Sequence, residues 1–121
     1  MKIGFIGLGN MATAMIGGIL GKGLYSKEEI IGSDKMQATA DLAKEKFGIT
    51  TYADNKEVVK NADVIVFAVK PIFLPEVIEE IKADVSSDKL VISIVAGKSI
   101  AWIEERFGKQ IRLVRCMPNT P

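Results

Sequence analysis

Residues 2–23 read KIGFIGLGNMATAMIGGILGKG. An apolar run, Ile3-Gly4-Phe5-Ile6, meets Gly7-Leu8-Gly9-Asn10-Met11-Ala12, a G-x-G-x-x-A, and a segment of helical periodicity follows. The order is strand, turn, helix. In a turn that holds a dinucleotide each small residue has a physical role: Gly7 permits the tight exit from the strand, Gly9 lets the main chain approach a pyrophosphate, and Ala12 lets the helix lie close on the strand. The amides of Asn10, Met11 and Ala12 then point at phosphate oxygens, aided by the partial positive charge at the helix start. Glycines serve any sharp turn, so the triplet by itself is weak evidence. The strand before it and the helix after it favour the dinucleotide reading.

Within that helix Met11, Ala14, Met15, Ile19 and Leu20 recur at spacings of three and four, which predicts one apolar stripe facing a sheet. Gly17 and Gly18 interrupt the stripe at a cost of about 1 kcal/mol each relative to alanine, and close backbone packing is the expected compensation. Gly21 and Gly23 fit a left-handed helix end.

The rest of the chain repeats the same alternation. Ser26 to Glu29 reads as a short turn or cap, and Ile30-Ile31-Gly32-Ser33 as a second strand ending at Asp34. Met36 to Phe47 is a second amphipathic helix, with Ala40, Leu42, Ala43 and Phe47 inward and Gly48 as its stop. Ile49 to Tyr52 is a short third strand, and a brief helix, Lys56 to Asn61, follows a cap at Asp54 or Asn55. Asp63 to Val69 is apolar on both faces, as an interior parallel strand must be. Lys70-Pro71 ends it, because proline lacks an amide donor and restricts the residue before it. Leu74 to Ile81 forms a helix with Val77, Ile78 and Ile81 inward, and Lys89 to Ile94 a fifth strand with a turn at Ala96-Gly97. Ser99 caps a helix over Ile100 to Phe107 that Gly108 stops, and Gln110 to Cys116 supplies a sixth strand before Met117-Pro118-Asn119-Thr120-Pro121.

Six strands alternating with helices specify an α/β fold, a doubly wound parallel sheet of the Rossmann type with right-handed crossovers and helices on both faces. One dinucleotide-binding domain over residues 1–121 accounts for the whole sequence. Any ligand crevice then lies at the carboxyl ends of the strands.

Composition narrows the function. Sixteen basic against fifteen acidic residues leave a net charge of +1, and no basic run provides a field for nucleic acid or an anionic membrane. No stretch approaches the ~20 apolar residues of a membrane span. With no histidine and one cysteine, Cys116, the chain lacks the usual zinc ligand sets, histidine acid/base chemistry and an internal disulfide; no metal site is expected, and the default compartment is the reducing cytoplasm. Cys116 has no histidine to activate it and reads as a buried free thiol, Trp102 as a core residue.

At the strand ends, Asp34 can accept hydrogen bonds from both adenosine ribose hydroxyls and would repel a 2'-phosphate, favouring NAD; Lys35 can reach that phosphate as a point charge, favouring NADP. Asp34 can equally be a helix cap. Ala68-Val69-Lys70-Pro71 is either a backbone wall for the cofactor ribose or a plain turn with a solvated lysine. Proline-stiffened backbone would hold Asn119 where its amide reaches a nicotinamide carboxamide or a substrate, and the same stretch reads equally as a linker.

Taken together, FIGLGNM at Phe5 to Met11, AVKP at Ala68 to Pro71, the serine strand ending in an AG turn at Ser93 to Gly97, and RCMPNTP at Arg115 to Pro121 resemble the pyrroline-5-carboxylate reductase family, in its order and spacing over the whole chain. The resemblance implies an oxidoreductase that reduces 1-pyrroline-5-carboxylate, a small-molecule substrate, to L-proline with NAD(P)H, the last step of proline biosynthesis. Carried over by position, it implies that Gly7, Gly9, Asn10, Met11 and Ala12 hold the pyrophosphate, that Ser33 and Asp34 lie at the adenosine ribose, and that Asn55 contacts the adenosine side. Ala68, Val69, Lys70 and Pro71 would border the ribose and nicotinamide, Ala96 and Gly97 would flank the nicotinamide ring, and Asn119 would lie nearby. An acidic residue at Asp34 departs from the commonly neutral residue of the family. Family members continue into an all-helical domain that builds the homo-oligomer and binds substrate, so the resemblance covers the cofactor domain and implies poor turnover by these 121 residues alone. Related readings are an imine reductase or deazaflavin-linked NADP reductase domain, and a stand-alone NAD(P)-binding module without chemistry.

Overall fold

A computed structural model describes residues 1–116. Six strands, β1 (Ile3–Ile6), β2 (Ile30–Ser33), β3 (Thr50–Tyr52), β4 (Val64–Phe67), β5 (Leu90–Ser93) and β6 (Arg112–Arg115), form one sheet in the order β3-β2-β1-β4-β5-β6, and every neighbouring pair is parallel. Five helices connect them: α1 (Asn10–Gly21), α2 (Gln37–Phe47), α3 (Asn55–Asn61), α4 (Leu74–Ile81) and α5 (Ile100–Phe107). The expected doubly wound architecture is present. Connections leave β1 toward β2 on one side and, later, toward β4 on the other, so the switch in winding direction falls between β1 and β4. At that point the chain leaves two neighbouring strands in opposite directions and a crevice opens above their carboxyl ends.

Strand alternation divides the core into two layers. Ile3 and Phe5 face a cluster with Ala12, Ile16, Ala40 and Ala43 from α1 and α2, whereas Ile6, Ile65 and Phe67 face Val58, Val59, Ile78, Ile81, Ile103 and Phe107 from α3, α4 and α5. Each of these larger side chains, fully buried, contributes on the order of 1.5–3 kcal/mol. Gly4 is small because α3 lies on it: a Cβ there would come within 2.5 Å of Val58.

Local sequence rules set most element ends. Asp54 accepts from the Lys56 amide at 2.9 Å and Ser99 from the Trp102 amide at 3.0 Å, the expected caps of α3 and α5. Ser26 and Glu29 form a reciprocal capping box before β2. Gly48 and Gly108 take the left-handed conformation that ends α2 and α5.

Several expectations are corrected. The stripe of α1 is centred on Ala12 and Ile16, with Met15, Ile19 and Leu20 at its flanks, while Met11 and Ala14 are exposed. Periodicity gave the stripe but not its rotation, which the contact of Ala12 with the strand fixes. Leu42 on α2 is exposed for the same reason, since Ala40 and Ala43 define the inward face. The close packing expected at Gly17 and Gly18 is absent: a Cβ at Gly18 would meet nothing within 4 Å, and at Gly17 only the rim of Phe47 at 3.7 Å. Gly21 is the last helical residue, and Gly23 alone of the pair has a positive φ, 67°. Cys116 is free but exposed, not buried. Trp102 is half-buried, with Lys98 Nζ 4.5 Å and the Arg106 guanidinium 4.9 Å from its ring centre.

Candidate functional site

The turn after β1 is tied to both neighbouring strands. The Gly7 amide donates to the Ser33 carbonyl of β2 at 2.8 Å, and the Ala68 amide at the end of β4 donates to the Ile6 carbonyl at 2.8 Å. At Gly7 φ is 101°, and a Cβ would stand 2.7 Å from the Ala68 carbonyl carbon and oxygen, so only glycine fits this exit. Leu8 turns inward and is 1% exposed. Gly9 differs from Gly7: a Cβ there would meet nothing within 4 Å, because it would project into the crevice. Gly9 is also the N-cap of the twelve-residue α1, and no side chain caps the helix. The first-turn amides therefore face outward without a side-chain acceptor, and an anion of the crevice is the partner their charge favours.

The crevice has a volume of about 700 Å³ and brings together residues from the ends of β1, β2, β3 and β4. Of the residues singled out in the sequence, Gly7, Gly9, Asp34, Lys35, Asn55, Ala68, Val69 and Lys70 line it. An adjoining groove of about 850 Å³ between α1 and α2 shares Gly9 and Lys70 and adds Asn10 and Thr13, so Lys70 stands where the two meet. Ser33 lies behind the wall. Fully buried, it donates its hydroxyl to Asn55 Oδ1 at 2.7 Å, which leaves the Asn55 side-chain nitrogen as a donor for the crevice. Ala12 is buried against β1, and Met11 is exposed on α1.

Asp34 Oδ2 accepts from the Leu8 amide and Oδ1 from the Met36 amide, both at 2.8 Å. Next to it, the Lys35 ammonium sits 4.1 Å from the centre of the Phe73 ring, reaching from the β2 side of the crevice to the β4 side. Phe73, Met36, Thr39, Glu76 and Glu80 also line the crevice and were not singled out by sequence. Proline at the start of the short 3-10 turn Pro71–Phe73 was the available signal for Phe73, since a turn after an interior strand end must pass beside the crevice. Pro71, Ala96 and Gly97 are exposed and do not line either space. Asn119 lies outside the described residues.

Glu29 is held below the usual carboxylate range by hydrogen bonds from the Ser26 backbone and side chain, and Asp88 by the Ser86 hydroxyl. Neither lines the crevice. Among the described residues no group of acidic, cysteine or histidine side chains could hold a metal ion, and no helix is long and apolar enough to cross a membrane.

Comparison with known proteins places this geometry. The family model described as NADP oxidoreductase coenzyme F420-dependent matches residues 2–97. Pyrroline-5-carboxylate reductase 2 of Homo sapiens is 38% identical over 125 aligned residues, covering 100% of this chain and 39% of its own length. The pyrroline-5-carboxylate reductase of Methanosarcina acetivorans is 38% identical over 118, covering 98% and 44%. Among solved structures, a pyrroline-5-carboxylate reductase from Coxiella burnetii superposes with a TM-score of 0.93 at 42% identity, covering 99% of this chain and 44% of that one. Plasmodium falciparum pyrroline carboxylate reductase with NADP bound superposes at 0.82 with 35% identity, covering 100% and 43%. The chain thus spans about two fifths of the length of the relatives it matches. By the match over residues 2–97 and this shared sequence, the chain belongs to the NADP oxidoreductase coenzyme F420-dependent family, alongside the pyrroline-5-carboxylate reductases.

Proposed function

We propose that this chain is the cofactor-binding domain of a pyrroline-5-carboxylate reductase and that the crevice between β1 and β4 holds NADP or NAD. One observation carries the reading: a twelve-residue helix begins at an uncapped glycine whose missing side chain opens onto the crevice at the switch in winding direction. Backbone amides of Asn10, Met11 and Ala12 would hold the pyrophosphate, and the Lys70 ammonium at the junction of crevice and groove would add a cation. Asn55, oriented by buried Ser33, would donate to the adenosine side. Ala68 and Val69 would form the wall along the ribose and nicotinamide, and the exposed Ala96-Gly97 turn and Asn119 would border the ring. Gly9 suits a pyrophosphate, because a Cβ there would meet no protein atom within 4 Å and the main chain is open to the crevice.

When bound, the reduced cofactor would supply a hydride to the imine carbon of 1-pyrroline-5-carboxylate protonated on its ring nitrogen, giving L-proline and the oxidised dinucleotide, in the cytoplasm, as the last step of proline biosynthesis. The part played by these residues is to fix the dinucleotide and so the approach of the hydride; such positioning lowers a barrier by up to ~7–11 kcal/mol when both reactants are held. In this reading the Lys70 ammonium and the Asn55 amide of the crevice would serve the dinucleotide and leave the substrate carboxylate without a donor of its own. We assign its recognition, the shielding of the ring from water and homo-oligomer formation to the part of the relatives' length that this chain does not match.

The test is a titration of the chain with NADH and with NADPH, followed by pyrroline-5-carboxylate. Binding of at least one dinucleotide at micromolar concentration with slow proline formation is expected. Absence of binding below millimolar concentration would refute the site, and brisk turnover by these 121 residues would refute the division of labour.

A further inference from the structure

The winding of the chain covers the two faces of the sheet unequally. Right-handed crossovers that run along a sheet in opposite directions put their helices on opposite faces. The connections from β1 to β2 and β3 run one way, so α1 and α2 share a face; those from β3 through β4 and β5 to β6 run the other way, and α3, α4 and α5 share the opposite one. On the face of α1 and α2, no helix among the described residues lies over β5 and β6. The sequence of this half is nonetheless that of a covered strand. Leu90-Val91-Ile92-Ser93-Ile94-Val95 is apolar on both faces, the pattern of an interior strand with helices on each side. Val91, Ser93 and Val95 are buried, whereas Ile92 and Ile94 are half-buried and Val114, the partner of Ile92 in the register, is 45% exposed.

Gly18 borders the same open strip. Thr13 and Gly17 mark the side of α1 that faces α2, the first by lining the groove between the two helices and the second by its approach to Phe47. At about 100° per residue, Met11, Met15 and Gly18 fall on the opposite side, toward β4 and β5. Met11 is 38% exposed, and a Cβ at Gly18 would meet nothing within 4 Å. A glycine that weakens its own helix and touches nothing suits a second helix packed beside it, because axes at the short end of about 8–10 Å leave no room for a side chain at the contact.

We propose that this strip, floored by Ile92, Ile94 and Val114 and walled by Met11, Met15 and Gly18, is the seat of a further helix, and that the helix belongs to the part of the relatives' length that this chain does not match. Three observations select that occupant. The matched part is about two fifths of the relatives' length, which leaves ample chain to supply it. Strand β6 brings the main chain to the strip itself: the Cys116 amide donates to the Ser93 carbonyl at 2.8 Å, which sets Cys116 beside Ile94. Arg112, exposed on the same face as Val114 at the amino end of β6, stands where a helix antiparallel to the strands would end, and its cation suits the negative end of that helix. The inference does not depend on what the crevice binds.

The test compares thermal melting of this chain alone with that of the chain joined after Pro121 to the unmatched part of the Coxiella burnetii relative. Val114→Glu should leave the midpoint of the chain alone within about 2 °C and lower that of the joined chain by about 10 °C or more, because only there is the new charge buried. Gly18→Leu should change sign: a rise of about 4 °C alone, where the glycine only weakens α1, and a fall of about 4 °C or more when joined. Leu42→Glu, exposed on α2 away from the strip, is the control and should act alike in both forms. The proposal is overturned if Val114→Glu and Gly18→Leu also act alike in both forms, or if the chain alone sediments as a dimer that Val114→Glu dissociates, which would give the strip to a second copy. Should the joined chain fail to fold, the unmatched part is added as a separate polypeptide to the wild-type chain carrying the apolar dye anilinonaphthalene sulfonate. Displacement of the dye, lost in Val114→Glu, is then expected, and no displacement overturns the proposal.

Discussion

Two turns leave the carboxyl edge of the sheet through a glycine with positive φ, one after β1 at Gly7 and one after β5 at Gly97, and they are built differently. The first is enclosed. Gly7 is pressed against the Ala68 backbone, Leu8 is buried, and hydrogen bonds run from the turn to β2 and Asp34. The second is held at its root, where the Val95 amide donates to the Oγ of buried Ser93 at 3.2 Å, but Ala96 and Gly97 are exposed and a Cβ at Gly97 would meet nothing within 4 Å. The described residues thus enclose the turn after β1 and leave the turn after β5 open; in the proposed reading the first would border the phosphates and adenosine and the second the nicotinamide ring.

The contrast can be broken most forcefully at Gly7. Gly7→Ala places a Cβ 2.7 Å from backbone that cannot retreat, in a conformation that already disfavours a side chain. A loss of about 3 kcal/mol or more is expected, seen as a fall of about 10 °C or more in the thermal midpoint. At Gly9 the effect moves from folding to binding. Gly9 has φ −77° and ψ −164°, which any residue adopts, so Gly9→Val should cost less than about 1 kcal/mol of stability, the difference in capping. Its side chain would occupy the space of the ligand, and a loss of about thirtyfold in dinucleotide affinity by calorimetry is expected. Unchanged affinity would mean that no phosphate lies beside Gly9. The smallest change is Gly97→Ala. Only the positive φ of 74° opposes it, so a cost of about 1 kcal/mol by thermal melting is expected, with dinucleotide affinity unaltered. A fall in stability as large as that of Gly7→Ala would show that the second turn is enclosed after all.

Much of this was legible in the sequence. Element order, the parallel sheet, the caps at Asp54 and Ser99 and the glycine exit depend on short-range rules: apolar periodicity, the preference of short polar side chains for helix starts, and the tolerance of glycine for positive φ. The differences have separate causes. Spacing puts Met11, Ala14, Met15, Ile19 and Leu20 on the inward stripe of α1 and Leu42 on that of α2, yet Met11, Ala14 and Leu42 are exposed, because spacing defines a stripe only to within one residue. Gly17 and Gly18 were read as packing sites when no neighbour approaches closely. Cys116 was read as buried because cysteine usually is, but it follows an edge strand.

At the site the limits were of another kind. Glycines, Asp34, Asn55 and Lys70 could be singled out one at a time, since each stands just after a strand or a cap. That Ser33 works behind Asn55, that Asp34 bonds to Leu8, and that Lys35 crosses to Phe73 involve separations of 22, 26 and 38 residues, respectively. The sequence by itself determined the alternation of strands and helices and the glycine turn, because these depend on neighbours within a few positions. Tertiary structure alone decided that Gly7 is a packing requirement and Gly9 an opening, and that the Asp34 carboxylate accepts from the Leu8 amide, because the partners that make the difference come from other strands.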